Sequence, residues 1–283
     1  MKTDYRAYYE QLARARESLR NKRQLELDQN NEPEPIGSAY RMDCFKNVLY
    51  KMICQRVNPD NPPTILDAGC GYGFDLVRLS KLCRFNGCGT DLSLTQLKLS
   101  AAEDTLKGCK FTQADAQNLP FKDGSLDMVV LSEVIEHLPQ PKMCLEGIHR
   151  ILKNQGWFFL STPNRWGYFH MLGQIIPKKF RSWLALRLRG KVDVDSSDYI
   201  TQPGMVEHLH LFAPVEIQSV LKKAGFKIEE VRGSYLAVPW PQLFNRLKVF
   251  QFTWEALNKL VSKFSWSIYL QEHILIVAKK EGD

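Results

Sequence analysis

In "LSEVIEHL", residues 131 to 138, two carboxylates and an imidazole stand close together: Glu133, Glu136 and His137 occupy positions i, i+3 and i+4. If the segment is helical they share one face, and "EHLHLF" (207 to 212) can bring His210 or His208 across to complete a site of two carboxylates and two histidines. Mg²⁺, Mn²⁺ or Fe²⁺ held by Glu133, Glu136, His137 and His210 would bind a hydroxyl and lower its pKa. With no metal, His137 is the candidate general base, since an imidazole titrates near working pH; the alternative is a histidine simply hydrogen-bonded in its loop.

A second chemical feature is "ILDAGCGYGFD" (65 to 75), where glycines recur at every second position behind an apolar run. A dinucleotide fingerprint would need glycine at 74, where this chain has Phe74. Two acids lie downstream. Asp91 in "GCGTDLS" can accept both hydroxyls of a ribose, and Asp115 in "ADAQNLPF" can accept from an adenine amine while the Ala116 amide donates to the ring. Taken singly, Asp91 would be a turn acid and Asp115 a helix cap. The first loop has no phosphate-binding Lys or Arg, so the ligand it suggests is an adenosine without phosphates.

The elements that must hold these residues alternate. "TILDA" (64 to 68), "FNGCGTD" (85 to 91), "KFTQA" (110 to 114), "LDMVVLS" (126 to 132) and "WFFLST" (157 to 162) read as strands. Residues 74 to 82, 93 to 107 and 140 to 153 carry apolar positions at helical spacing, with Gly156 as a helix stop. Repetition of strand and helix predicts an α/β, Rossmann-like, doubly wound sheet, whose ligands bind beyond the carboxyl ends of the strands.

Together, in order, these segments resemble the class I S-adenosylmethionine-dependent methyltransferases over about residues 60 to 165, and again in "HLHLFAPVEIQSVLKKAGFKIEEV" (208 to 231). The resemblance implies that Asp67 and the Gly69, Gly71 and Gly73 backbone line the amino-acid and ribose part of S-adenosylmethionine. It implies further that Asp91 takes the ribose hydroxyls, Leu92 packs on the adenine, and Asp115 with Ala116 reads its edge. Ser132 and Glu133 would lie beside the methionyl chain and the methyl group, and Arg41 in "SAYRMDC" resembles an upstream arginine that clamps the cofactor's carboxylate in some relatives. A seven-stranded sheet with its last strand antiparallel is implied too, with "FKIEEVR" (226 to 232) sixth and "HILIVAKK" (273 to 280) seventh. E-x-x-E-H with a distant His is similar to patterns in ubiquinone-pathway O-methyltransferases and in small-RNA 3′-terminal 2′-O-methyltransferases.

Residues 1 to 60 read as an N-terminal helical cap and 61 to 283 as the methyltransferase domain, with helical, aromatic lid insertions at about 163 to 212 and 233 to 271. Trp166, Tyr168, Phe169, Trp183, Tyr235, Trp240, Phe244, Phe252, Trp254 and Trp266 fall there, either as the insertions' own core or as walls of an acceptor pocket. "PKKFRSWLALRLRGK" (177 to 191) interleaves basic and apolar residues with no acid, and suits an anionic membrane surface, RNA phosphates or a solvated lid face.

The net charge of +7 permits anionic partners without requiring them, and no apolar run approaches the roughly 20 residues of a membrane span. The charged start, "MKTDYRAYYEQLARAR", lacks a secretory h-region, so a cytoplasmic protein is expected. Seven cysteines with no CxxC pair point to reduced thiols. The expected activity is O-methylation of a small-molecule or lipid-like acceptor, with His137 and Glu133 catalytic. Methylation of an RNA 3′ end, N- or C-methylation of a small molecule, and a non-catalytic cofactor-binding scaffold stay open; oligomeric state is not expressed in the sequence.

Overall fold

The computed structural model describes residues 46–167, 208–234, 248–261 and 264–282. Its centre is a seven-stranded sheet of β1 (Thr64–Ala68), β2 (Asn86–Asp91), β3 (Lys110–Gln113), β4 (Leu126–Ser132), β5 (Leu152–Pro163), β6 (Phe226–Gly233) and β7 (His273–Lys280). The strand order is β3-β2-β1-β4-β5-β7-β6. β1 to β5 run parallel, and β7 is antiparallel to both β5 and β6. The seven-stranded expectation with its reversed last strand is met.

Helices flank the strands: α1 (46–54), α2 (Phe74–Ser80), α3 (Leu94–Ala102), α4 (Pro141–Ile151), α5 (Pro214–Lys223) and α6 (Lys248–Val261). Local chemistry sets their ends. The Ser93 hydroxyl accepts from the Gln96 N–H at the start of α3, and Pro141 and Pro214 open α4 and α5, where a missing N–H costs nothing. Cys144, Leu145, Ile148 and Ile151 give α4 its apolar stripe.

Adjacent strand residues divide the core between two faces, as the two-residue period of a strand requires. Leu66, Val129, Phe158 and Ile276 pack on one side with α4 and α5. Ile65, Val130, Phe159 and Leu275 pack on the other, with Leu49, Met52 and Ile53 of α1 and Leu79 of α2. Consequently α1 belongs to the core of the sheet and is not a detached arm.

Two boundaries differ from expectation. The helix predicted over 93 to 107 breaks at the extended Glu103, and a separate 3-10 turn, Asp104–Leu106, follows. Gly156 is not a helix stop: α4 ends at Ile151, and β5 begins at Leu152. Between the pairs Leu126↔Leu152 and Met128↔Trp157 the register shifts, with Gln155 at φ 63. A Cβ at Gly156 would lie 2.8 Å from the Lys153 carbonyl oxygen, so glycine serves this irregularity.

No described helix is long and apolar enough to cross a membrane. Arg41, the stretch 177 to 191, Tyr168, Phe169, Trp183, Tyr235, Trp240, Phe244, most of the first lid insertion and residues 235–247 and 262–263 of the second lie outside the described residues.

Candidate active site

The strand order reverses at β1: β2 and β3 lie on one side, β4 and β5 on the other. The crevice between the carboxyl ends of β1 and β4 is therefore the expected ligand position. The glycine loop forms its β1 wall. Gly69, Gly71 and Gly73 have φ of 79, 53 and 72, the left-handed region that glycine enters without strain. The Gly69 and Cys70 N–H groups donate to the Thr90 carbonyl at 2.7 and 2.9 Å. A Cβ on Gly69 would lie 2.5 Å from Val134 Cγ2, so the loop passes tightly under the segment after β4.

Asp91 ends β2 and braces this loop. Its Oδ2 accepts from the Gly71 N–H at 2.9 Å and its Oδ1 from the Ser93 N–H at 2.8 Å. Asp115 opens the loop after β3, where its Oδ1 accepts from the Gln117 N–H two residues on; this closes a turn, and no helix follows for it to cap. Ala116 is buried beside it, and the Leu92 carbonyl accepts from Gln113 Nε2.

Asp67 closes β1 and is buried, and its Oδ2 has no hydrogen-bond partner among the described residues. Burial, then the charges of Asp75 and Asp91, push its carboxyl well above the usual range, against an opposing pull from Lys46. An unpartnered buried acceptor beside left-handed glycines fits a ligand that brings its own hydrogen-bond donors.

Three residues absent from the sequence-level site complete this wall. Lys46, on α1, donates both to Asp75 of α2 and to the Ser132 hydroxyl at the end of β4, 2.6 Å away. The Tyr50 hydroxyl donates to the other Asp75 oxygen at 2.7 Å. Lys46 thus spans the crevice from its β1 side to its β4 side. Its signal in the sequence is faint: Lys46 and Tyr50 stand at i and i+4, but only the packing of α1 reveals what they face.

The acids after β4 are arranged otherwise than the helical spacing suggests. Glu133 has φ 57, and only Ile135–His137 form a 3-10 turn, so Glu133, Glu136 and His137 do not share a helix face. Glu133 pairs instead with His273, the first residue of β7: Oε2 lies 3.3 Å from Nε2, while Oε1 accepts from the Ser161 hydroxyl at 2.8 Å. Burial raises the Glu133 pKa, but His273, Lys46 and Ser161 outweigh it and leave the carboxyl below its ordinary value. Sequence reasoning misses His273, although a histidine opening an antiparallel last strand must lie at the carboxyl face of its parallel neighbours.

A second group runs from a buried carboxylate to an exposed imidazole. Glu136, His137 and His208 each offer a ligand atom within 4.8 Å of the others. Glu136 is buried; its Oε2 accepts from the Thr162 hydroxyl, and its Oε1 has no hydrogen bond among the described residues and lies 3.8 Å from His137 Nε2. Burial, then the charge on Glu133, push this carboxyl well above its usual range. The His137 and His208 rings sit 4.9 Å apart. His210, expected in the set, instead donates its main-chain N–H to the Glu136 carbonyl and turns its ring to Phe212. Neither Glu133 nor His210 joins the cluster.

Residues 15–231 match the family described as Methyltransferase domain. The chain belongs to that family. This methyltransferase is 31% identical over 160 residues to the mitochondrial ubiquinone biosynthesis O-methyltransferase of Candida albicans, across 51% of this chain and 48% of that protein. It is 27% identical to the ubiquinone/menaquinone biosynthesis C-methyltransferase UbiE of Rickettsia bellii, across 63% of this chain and 74% of that one. A human protein named arginine-hydroxylase NDUFAF5 is also 27% identical, over 81% of this chain and 61% of its own length. Thus the methyltransferase spans about half to three quarters of these curated relatives. In fold it is similar to an S-adenosylmethionine-dependent methyltransferase structure from Mesorhizobium loti, with a TM-score of 0.51 and 18% identity over 82% of this chain and 96% of that one.

Proposed function

We propose that the enzyme methylates a hydroxyl on a small, lipid-like acceptor, in the first instance a hydroxylated aromatic carrying an apolar tail. The observation that carries this reading is the placement of His137, with Glu133 and His273 nearby, at the carboxyl ends of β4 and β5, where antiparallel β7 begins. A hydroxyl must lose its proton to become a good nucleophile, and imidazoles are suited to take it. The names of the relatives in ubiquinone biosynthesis support an aromatic acceptor.

In this reading Asp67 and the Gly69, Gly71 and Gly73 backbone hold the amino-acid and ribose part of S-adenosylmethionine, Asp91 its ribose hydroxyls, Leu92, Asp115 and Ala116 its adenine, and Ser132 its methionyl chain. When bound, the cofactor supplies an electrophilic methyl on a sulfonium. Glu133 is a positioning residue, held in its left-handed conformation by Ser161 and His273. His137 takes the acceptor's proton. Arg41 remains a proposed carboxylate contact, and 177 to 191 a proposed membrane-surface contact, of a cytoplasmic enzyme.

One observation favours a divalent cation: Glu136 Oε1, without a hydrogen bond among the described residues, lies 3.8 Å from His137 Nε2, with His208 beside them. Glu136, His137 and His208 would hold it; His137 would then be a ligand in place of a base, and the cation would lower the pKa of a bound hydroxyl instead. Metal analysis of the purified protein, with activity after exhaustive chelation, tests this; full activity without metal removes the cation.

The acceptor reading is tested with S-adenosylmethionine and a catechol bearing a short prenyl tail. Mass spectrometry and proton NMR of the product distinguish an O-methyl ether, the expected result, from ring C-methylation, which would overturn it.

A further inference from the structure

Away from the crevice the described residues bring two thiols together. Cys54 is the last residue of α1 and Cys83 lies just beyond α2, and the Cys54 thiol donates to Cys83 Sγ at 3.2 Å. A disulfide needs its sulfurs about 2.05 Å apart, so closure asks for a movement on the order of 1 Å. Both residues are half-buried and pack against the core face that holds Leu49, Ile53 and Leu79. Side chains on that face already fix the two helices side by side.

We propose that Cys54 and Cys83 are a disulfide-forming pair that fastens α1 to α2 when the protein meets a low-molecular-weight disulfide such as oxidised glutathione. The sequence alone points to reduced thiols, and the pair is invisible there because Cys54 and Cys83 belong to different elements. The chemistry balances in two exchanges. The Cys54 thiolate attacks glutathione disulfide, forming a mixed disulfide and releasing one glutathione. Cys83 then attacks the Cys54 sulfur, forming the intramolecular bond and releasing the second glutathione. Two protein thiols are oxidised, one glutathione disulfide is reduced, and both thiol protons end on glutathione.

Burial, then the neighbouring Cys54, push the Cys83 thiol up to about 12. Once Cys54 carries the mixed disulfide, Cys83 is the sulfur beside it.

The position of the bond gives it a consequence. Earlier along the same helices, Lys46 and Tyr50 of α1 bind Asp75 of α2, and Lys46 continues to Ser132 across the crevice. A bond between Cys54 and Cys83 would clamp the trailing ends of two helices whose leading ends form a wall of the cofactor crevice. On the reading that this crevice holds S-adenosylmethionine or its product, the oxidised protein releases that ligand more slowly, because the bond adds to the packing that holds α1 and α2 together at the crevice wall.

The test exposes the full chain to a series of oxidised and reduced glutathione mixtures under native conditions, then traps remaining thiols and maps peptides by mass spectrometry without reduction. Expected are a Cys54–Cys83 cross-linked peptide that dithiothreitol removes, a melting temperature raised by a few degrees in the oxidised form, and S-adenosylhomocysteine dissociation slowed several-fold. Cys54→Ser and Cys83→Ser should each abolish the cross-link and both shifts. The pair is overturned if Cys54 and Cys83 stay reduced, stop at glutathione adducts, or bond to other cysteines instead of each other. A cross-link with unchanged dissociation overturns the coupling to the crevice. Absence of S-adenosylhomocysteine binding in both forms would count against the methyltransferase reading of the crevice, while the mass map still decides the cross-link. Should a serine variant fail to fold, the peptide map of the wild-type protein decides the cross-link by itself.

Discussion

Lys46 contributes the cation that links both walls of the crevice, through Asp75 on one side and Ser132 on the other. An amino-acid end of a cofactor lying there presents a carboxylate to it, so Lys46→Met should weaken S-adenosylhomocysteine about tenfold or more, the value of one charge-assisted hydrogen bond. Binding of 5′-methylthioadenosine, which lacks that end, should be unchanged; equal losses for both ligands would reduce Lys46 to a structural role. Asp67 gives an opposite trade between stability and binding. Its folded-state pKa is raised, first by burial and then by Asp75 and Asp91, so the folded protein bears a cost for ionising it. The cost is absent below the unfolded carboxyl value, where Asp67 is protonated in both states, and grows as pH rises toward the folded value. Asp67→Asn should therefore stabilise the protein by about 1 kcal/mol at neutral pH, with the gain vanishing near about pH 4, while cofactor binding weakens. Denaturant melts across that range read the sign directly. Gly69→Ala should cost about 2–4 kcal/mol, because φ is 79 and the new Cβ meets Val134. Asp67, Asp91 and Asp115 are legible in sequence because each lies at or just past the carboxyl end of a strand in a repeating unit. Lys46, Tyr50 and His273 are not, since their partners come from elements far along the chain.

At the scale of elements, α1 decides how the crevice is walled. Leu49, Met52 and Ile53 are buried on the same sheet face as Phe159 and Leu275. Ile53→Ala should thus lower global stability by about 2–4 kcal/mol, as a core truncation does, and speed amide exchange throughout β1 and β7. Exchange confined to α1, with an unchanged global melt, would make α1 an appended arm instead. The boundaries that depart from expectation share one cause. Periodicity reports which residues face the core but not where a hydrogen-bond ladder changes hands, and "LKNQG" reads equally as a helix tail or as the irregular start of β5. The same limit applies after β4: Glu133, Glu136 and His137 have helical spacing, yet the left-handed Glu133 sends its carboxylate to β7 and leaves the cluster to Glu136, His137 and His208. Sequence spacing locates the right neighbourhood, and the turn chooses the partners.

For the whole molecule, strand order does the organising. Placing β1 at the reversal puts the glycine loop, Asp91 and Ser132 around one crevice, and the antiparallel β7 delivers His273 to that same rim. A fold shared with many activities does not choose the acceptor, and the relatives include O- and C-methyltransferases and a protein named as a hydroxylase. The site common to the methyltransferase readings is the cofactor crevice. Isothermal titration of the purified, folded chain with S-adenosylhomocysteine tests it most directly. One saturable site, lost in Asp91→Ala because both the loop brace and the ribose contact go with it, is the predicted result. No binding by wild-type protein that melts cooperatively would contradict the account at its centre.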